Sequence, residues 1–152
     1  GDINEFKLEN IRKKIGVILQ DVFLFADTIF NNITLFNNEI SIKDVERAAK
    51  DLEIHDFILS LPGGYDFNVS ERGSTLSSGQ KQLIAFLRVL VNNPDILILD
   101  EATSSIDSYS EDLIKNATKK ITMGKTSIII AHRLSTVESA DKIIYMENGM
   151  KT

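Results

Sequence analysis

Short apolar runs that alternate with helical patterns are the feature that most restricts how this chain can fold. Strand-length apolar runs occur at Ile15–Leu19, Ile96–Leu99, Thr126–Ala131 and Ile143–Met146. Amphipathic helical spacing lies between them, most clearly over Ser78–Val91. Strands that are apolar throughout are typical of parallel sheets, which are covered on both faces. We therefore predict an α/β fold with a parallel sheet of buried strands.

Capping and turn residues set the bounds of the other predicted elements. Helices are predicted over Ser41–Leu52, with its first residue as N-cap, over Ile54–Leu59, and over Ser108–Ile121, with Asp107 as N-cap. The dipeptide Asn148-Gly149 is typical of a hairpin turn. Because only three residues follow that dipeptide, we expect no returning strand.

The composition excludes several classes of protein. The 152 residues are 43% hydrophobic and 26% charged, which excludes a disordered or repetitive chain. A net charge of −5 argues against a nucleic-acid-binding protein, which usually carries a basic stripe, so we expect no nucleic-acid partner. No apolar run reaches the ~18 residues of a transmembrane helix, so we expect this chain itself to be soluble.

Two carboxylates directly follow the second apolar run. Asp100 and Glu101 come after Ile96–Leu99, at the strand end where open α/β sheets bind ligands. One could hold Mg²⁺, directly or through water, and the other could orient or deprotonate an attacking water. A simpler interpretation is an acidic strand end that caps the next helix.

Polar residues also stand before the longest helix and after the other two strands. In the segment L-S-S-G-Q, Ser77 or Ser78 can cap the helix, and Gly79 permits a close backbone approach. Free N–H groups and the helix dipole would suit an anion there, although a simple N-cap is the favoured interpretation of this pentapeptide alone. Gln20 and His132 end the first and third strands, where an amide could ligate Mg²⁺ and an imidazole could donate to a phosphate oxygen.

The order and spacing of these elements resemble the nucleotide-binding domain of ABC transporters over the whole chain. Five motifs occur in the family's order: the Q-loop at Gln20, the signature L-S-S-G-Q, the Walker B run I-L-I-L-D-E, the D-loop S-S-I-D and the H-loop at His132. Three stretches are similar to the multidrug and lipid exporters in particular. They are Ile15–Phe25, Ser70–Gly73 and Ile130–Thr136.

This resemblance implies a P-loop NTPase-like parallel sheet with an inserted helical subdomain. Residues 1–152 would form a partial ABC nucleotide-binding domain, with the helical subdomain at about 34–90 and the RecA-like core at 1–33 and 91–152. The family's phosphate loop (Walker A), G-x-x-x-x-G-K-[ST], does not occur in the sequence. We therefore expect a fragment that lacks the N-terminal β-subdomain and the Walker A strand and helix, and that is inactive alone.

The resemblance also implies a role for each matched residue. Glu101 would be the general base that polarises the attacking water, and His132 would hydrogen-bond the γ-phosphate of ATP. Asp100 would support Mg²⁺, and Gln20 would contact Mg²⁺ or the water. The residues that would contact ATP held mainly by a second, head-to-tail nucleotide-binding domain are Ser77, Ser78, Gly79, Gln80 and, in the D-loop between the domains, Asp107.

The implied function is ATP hydrolysis that drives export, with ATP and Mg²⁺ as cofactors. The segment Asp21–Phe25 would lie near the transmembrane domain and transmit its motion, which implies a location at the cytoplasmic face of the cell membrane. The sequence departs from the family at Ser78, where Gly is usual, and at Asn68, where exporters usually carry Glu. Two alternatives remain open: an ABC-type ATPase without a membrane partner, and a non-catalytic interaction module whose partner supplies the phosphate loop.

Overall fold

Both helices and strands form in the part of the chain that the computed structural model describes, which is residues 6–69, 75–100, 108–131, 140–147 and 149–151. The elements in chain order are α1 (Leu8–Lys14), β1 (Ile15–Ile18), α2 (Ile29–Thr34), α3 (Ile42–Asp51), α4 (His55–Ser60), a 3₁₀ turn (Gly64–Asp66), α5 (Ser78–Asn92), β2 (Ile96–Asp100), α6 (Ser108–Thr122), β3 (Thr126–Ile130), β4 (Met146–Glu147) and β5 (Met150–Lys151). The predicted α/β class is confirmed.

A parallel sheet with the strand order β1-β2-β3 forms the centre of this fold. The register pairs Ile18 of β1 with Leu99 of β2, and Asp100 of β2 with Ile130 of β3. The parallel arrangement predicted from the apolar runs is therefore confirmed. Because the three strands run in the same direction, their carboxyl ends lie along one edge of the sheet.

The two faces of this sheet differ in burial. Leu97 and Leu99 of β2 point into the core, and α5 packs against β1. On the other face, Val17 is 48% exposed and Ile128 is 56% exposed. The prediction that every strand is buried is therefore wrong for β3, whose residues alternate between exposed and partly buried. An apolar run favours a strand, but it does not determine whether other elements of the protein cover both faces of that strand.

The hairpin near residue 149 corrects two further predictions. The strand predicted over Ile143–Met146 is instead the two-residue β4, which pairs antiparallel with β5 and not with the parallel sheet. The returning strand that we did not expect is present as β5. Two paired residues on each side are enough for a short ladder, and Gly149 adopts a φ of 78° that suits a tight hairpin turn.

Helices whose ends are marked in the sequence lie where they were predicted. α3 begins after Ser41, whose hydroxyl accepts a hydrogen bond from the Asp44 N–H at 3.3 Å. The Asp44 carboxylate in turn accepts from the Ser41 N–H at 3.1 Å, and its hydrogen bonds to Ser41 lower its pKa. α5 ends at Asn92, and its C-cap Asn93 adopts a left-handed φ of 44° directly before Pro94. Only α1 and α2 among the described helices were not predicted.

α5 is the helix around which the buried core is built. It packs against α2, α3, α6 and β1, and its buried residues include Leu83, Phe86 and Leu87. The same buried cluster contains Ala49 of α3 and Leu97 of β2. It therefore joins residues from both of the predicted subdomains, whose division at about residues 34 and 90 stays a prediction.

Gly16 allows β1 to lie close to the turn that precedes β2. A Cβ atom at this position would lie 2.7 Å from Cγ of Pro94 and 3.1 Å from side-chain carbons of Leu97 and Val89. We expect Gly16→Ala to lower the free energy of unfolding by about 1–3 kcal/mol, which is typical of overpacking a core. Urea denaturation would measure the change, with Val17→Ala on the exposed face as the control. Equal stability of Gly16→Ala and the unmodified chain would contradict this close packing.

Candidate nucleotide site

Two of the predicted site residues lie at the carboxyl edge of the parallel sheet. Asp100 is the last residue of β2, and Gln20 follows β1 by two residues with its side chain exposed. Glu101, Asp107 and His132 lie outside the described residues. The described part of the chain thus brings a carboxylate and an amide to neighbouring strand ends, where a ligand of an open α/β sheet would bind.

The N-terminus of α5 carries the predicted signature residues. Ser77 is the N-cap: its Oγ accepts a hydrogen bond from the Gln80 N–H at 3.2 Å, and Gln80 Oε1 accepts from the Ser77 N–H at 2.9 Å. Ser78 is the first helical residue and is exposed, whereas Gly79 is buried. The capping interpretation of this segment therefore holds for Ser77 and not for Ser78. The capped N-terminus of this 15-residue helix is also the positive end of the helix dipole, which favours the binding of an anion.

Two cavities in the described part of the chain are lined by neither the strand-end residues nor the signature residues. One cavity, of about 520 Å³, lies beside α3 and is lined by Asp44, Arg47 and Asn92 among others. The second, of about 620 Å³, lies beside the 3₁₀ turn and is lined by Phe30 and Tyr65 among others. Burial raises the pKa of Tyr65 to about 12.

Three aromatic side chains form a surface group beyond β1. The rings of Phe23 and Phe25 meet edge to face with centroids 5.1 Å apart, and the Phe36 ring lies 6.3 Å from that of Phe25. All three side chains are exposed. Leu35 and Phe36 both have positive φ values, and Leu35 is the C-cap at which α2 ends. We refer to Phe23, Phe25 and Phe36 as the aromatic patch.

Sequence reasoning missed two polar residues that support this patch. Asn32 is fully buried in α2, and Arg88 is half-buried on α5. A signal was available only for Arg88, which is an arginine within the otherwise apolar helical segment A-F-L-R-V-L; the segment I-F-N-N-I-T around Asn32 is half polar and gives no comparable signal. A polar side chain at such a position is expected to have specific hydrogen-bond partners, which the sequence alone cannot identify.

No helix in the described ranges has both the length and the apolar character needed to cross a bilayer. Within the same residues, no group of three or more His, Cys, Asp or Glu side chains is placed to hold a metal ion.

Comparison with known proteins identifies the family. The family described as "ABC transporter" matches residues 1–104, which is more than half of the chain. This chain belongs to the ABC transporter family. The identification made from the Q-loop, signature and Walker B motifs is thereby confirmed, and the parallel sheet agrees with it.

Similar curated proteins are exporters by name. The chain is 46% identical over 148 residues to "Putative multidrug export ATP-binding/permease protein YgaD" of Bacillus subtilis, covering 97% of the chain and 26% of that relative. It is 47% identical over 148 residues, with the same coverage, to a Staphylococcus aureus protein that is also named "Putative multidrug export ATP-binding/permease protein". The chain thus spans about a quarter of the length of these relatives.

Proposed function

We propose that this ABC transporter chain binds ATP and takes part in the hydrolysis that drives export across a membrane. The observation that carries the proposal is the parallel sheet, since it aligns the strand ends that bear Gln20 and Asp100 along one edge. Glu101 directly follows Asp100 in the sequence. The names of the relatives, which combine ATP binding, permease and multidrug export, support the same activity.

ATP with Mg²⁺ is the cofactor that fits this edge. The Asp100 carboxylate and the Gln20 amide oxygen are hard oxygen donors, which Mg²⁺ prefers over nitrogen or sulfur. When bound, Mg²⁺ would neutralise charge that develops on the transferred phosphoryl group. Glu101 would accept a proton from the attacking water, and His132 would donate a hydrogen bond to the γ-phosphate.

A second nucleotide-binding domain, arranged head to tail, is the partner we propose for the N-terminus of α5. The sequence of 152 residues contains no G-x-x-x-x-G-K-[ST] loop, so most phosphate contacts would have to come from elsewhere. The Ser77 hydroxyl, the exposed Ser78 and the backbone at Gly79 would then contact the γ-phosphate of ATP on the second domain. Gln80 would act beside them, and Asp107 would lie in the D-loop between the domains.

A transmembrane domain is the partner we propose for the aromatic patch and the adjoining segment Asp21–Phe25. Exposed aromatic side chains in contact with one another are typical of protein interfaces. The relatives carry a permease function in their names. The chain would therefore lie at the cytoplasmic face of the cell membrane, with residues of about 34–90 acting as the helical subdomain and 1–33 and 91–152 as the core.

We expect the 152-residue chain alone to hydrolyse Mg-ATP no faster than background, because it contains no phosphate-loop sequence. Phosphate release by the purified chain would measure this rate, with Glu101→Gln as the control for contaminating ATPases. Robust turnover that Glu101→Gln abolishes would contradict the proposal of an inactive chain. It would nevertheless support Glu101 as the general base.

Mixing experiments separate this proposal from the two alternatives. If an added domain that carries a phosphate loop restores turnover and Glu101→Gln removes it, both domains contribute to catalysis. Restored turnover that is insensitive both to Glu101→Gln and to Ser77→Ala in the signature would favour the non-catalytic interaction module. A third outcome is full ATPase activity without any transmembrane domain. If removing the Phe23 and Phe25 rings also leaves that activity unchanged, the result would favour an ABC-type ATPase that needs no membrane partner.

A further inference from the structure

The buried side chain of Asn32 holds the backbone of the aromatic patch through hydrogen bonds. Its Oδ1 accepts a hydrogen bond from the Phe25 N–H at 2.8 Å, and its Nδ2 donates to the Phe25 carbonyl at 3.0 Å. The same Nδ2 donates to the carbonyls of Thr28 at 3.0 Å and Asp27 at 3.4 Å. Because Asn32 is fully buried, these bonds are shielded from competing water. The backbone at Phe25 is therefore held at both its N–H and its C=O.

Arg88 extends this network from α2 and the patch to α5. Its Nε donates to the Asn32 carbonyl at 2.8 Å, and its Nη2 donates to the Phe23 carbonyl at 3.3 Å. The two acceptors belong to segments that lie nine residues apart in the sequence, at positions 23 and 32. The guanidinium thus links the backbone of Phe23 to α2, the helix whose Asn32 side chain holds the backbone of Phe25.

The chemistry of these contacts suits arginine and not lysine. Both acceptors are backbone carbonyls. The hydrogen bonds of Arg88 therefore depend on the conformation of the main chain and not on which side chains residues 23 and 32 carry. A planar guanidinium offers donors in a fixed fork, whereas a lysine ammonium is a single point charge on a flexible stem. Burial lowers the pKa of Arg88, but a guanidinium remains protonated in proteins.

We propose that Arg88 is a positioning residue, which holds the aromatic patch in the conformation that the transmembrane domain recognises. This inference rests on the proposed docking of the patch. Arg88 lies on the helix that Ser77 caps, 11 positions after that N-cap, which corresponds to about 16 Å along the axis. The patch therefore has a fixed position relative to the capped end of α5. Arg88 touches neither nucleotide nor reacting atoms in this role.

Spin labelling tests the positioning role in the chain itself. The sequence contains no cysteine, so Asp21→Cys creates a unique labelling site on an exposed residue next to the patch. We expect Arg88→Gln to increase the mobility of that label several-fold in the paramagnetic resonance spectrum, and Arg88→Lys to give most of the same increase. Arg47→Gln is the matched control, because Arg47 is an exposed arginine that pairs with Asp44. It should leave the spectrum unchanged.

A second labelling site distinguishes local loosening from unfolding. Lys115 is exposed on α6, and a label on Lys115→Cys should keep its mobility when Arg88 is replaced. If Arg88→Gln mobilises both labels, the variant has unfolded, and Arg88→Lys then provides the decisive spectrum. If Arg88→Lys stays folded and the label at position 21 keeps its mobility, the positioning role is overturned. The proposed docking of the patch would remain intact.

The amount of transport per ATP hydrolysed in the assembled transporter tests the functional consequence. We expect Arg88→Lys to lower this ratio several-fold without changing the KM for ATP, and Phe23→Ala with Phe25→Ala to lower it similarly. If Arg88→Lys keeps a normal ratio of transport to ATP hydrolysis while the phenylalanine variant has a lowered one, the positioning role of Arg88 is overturned and the docking proposal stands. A normal ratio in the phenylalanine variant would overturn the docking proposal, and the inference that rests on it.

Discussion

Replacing Glu101 by glutamine should lower the ATPase rate of the assembled transporter by roughly 10²–10⁴-fold, which is the range expected for loss of a general base. Glutamine has nearly the same shape as glutamate, but its amide cannot accept the proton of the attacking water. We therefore expect the KM for ATP to change little while kcat falls. Steady-state phosphate release over a range of ATP concentrations would separate the two parameters.

The matched control for this prediction is Glu147→Gln. It makes the same chemical change at an exposed position of β4, in the hairpin that lies apart from the parallel sheet. The control should keep the rate of the unmodified transporter. If Glu101→Gln also kept it, the role assigned to Glu101 from the Walker B motif would be wrong, and another group would have to accept the proton.

Replacing Phe86 by alanine should lower the free energy of unfolding of the chain by about 3–5 kcal/mol. Phe86 is 2% exposed on α5, the helix that packs against α2, α3, α6 and β1. Removing the ring leaves a cavity that neighbours on several elements cannot all fill. Since domains are typically stable by only about 5–15 kcal/mol, the loss would be a large fraction of the total.

Phe36→Ala provides the control for Phe86→Ala in the same denaturation experiment. Both variants lose an aromatic ring, but Phe36 is 55% exposed and lies outside the buried cluster. We expect Phe36→Ala to change the unfolding midpoint only slightly, because surface substitutions usually alter stability by less than about 0.5 kcal/mol. Similar losses in both variants would show that the cluster around α5 does not dominate the stability of this chain.

The helices that sequence analysis located well carry local capping signals. α3 has the reciprocal hydrogen bonds between Ser41 and Asp44 at its start, and α5 has Ser77 at its start and the Asn93-Pro94 stop at its end. These signals act within a few residues, so they are readable without knowing the fold. α2 has no comparable apolar pattern, and the buried Asn32 within it is stabilised by the segment that surrounds it.

Burial of the strands was less predictable than their positions. The run T-S-I-I-I is a strand as expected, yet Ile128 and Ile130 are about half exposed. Exposure depends on which other elements cover a sheet face, which is a property of tertiary structure. For the same reason, the motifs predicted that Gln20 and Asp100 follow or end neighbouring strands, but not that Arg88 would contact the carbonyl of Phe23, 65 positions earlier.

The capped start of α5 also affects how readily an anion could bind there. The Ser77 oxygen accepts from the Gln80 N–H, and a hydroxyl that accepts one hydrogen bond can still donate its own hydrogen to another acceptor. The conformational entropy of this helical turn is lost when the chain folds, and not when a ligand arrives. An incoming anion would therefore meet a preorganised donor, and little of its binding free energy would be spent on ordering the first turn.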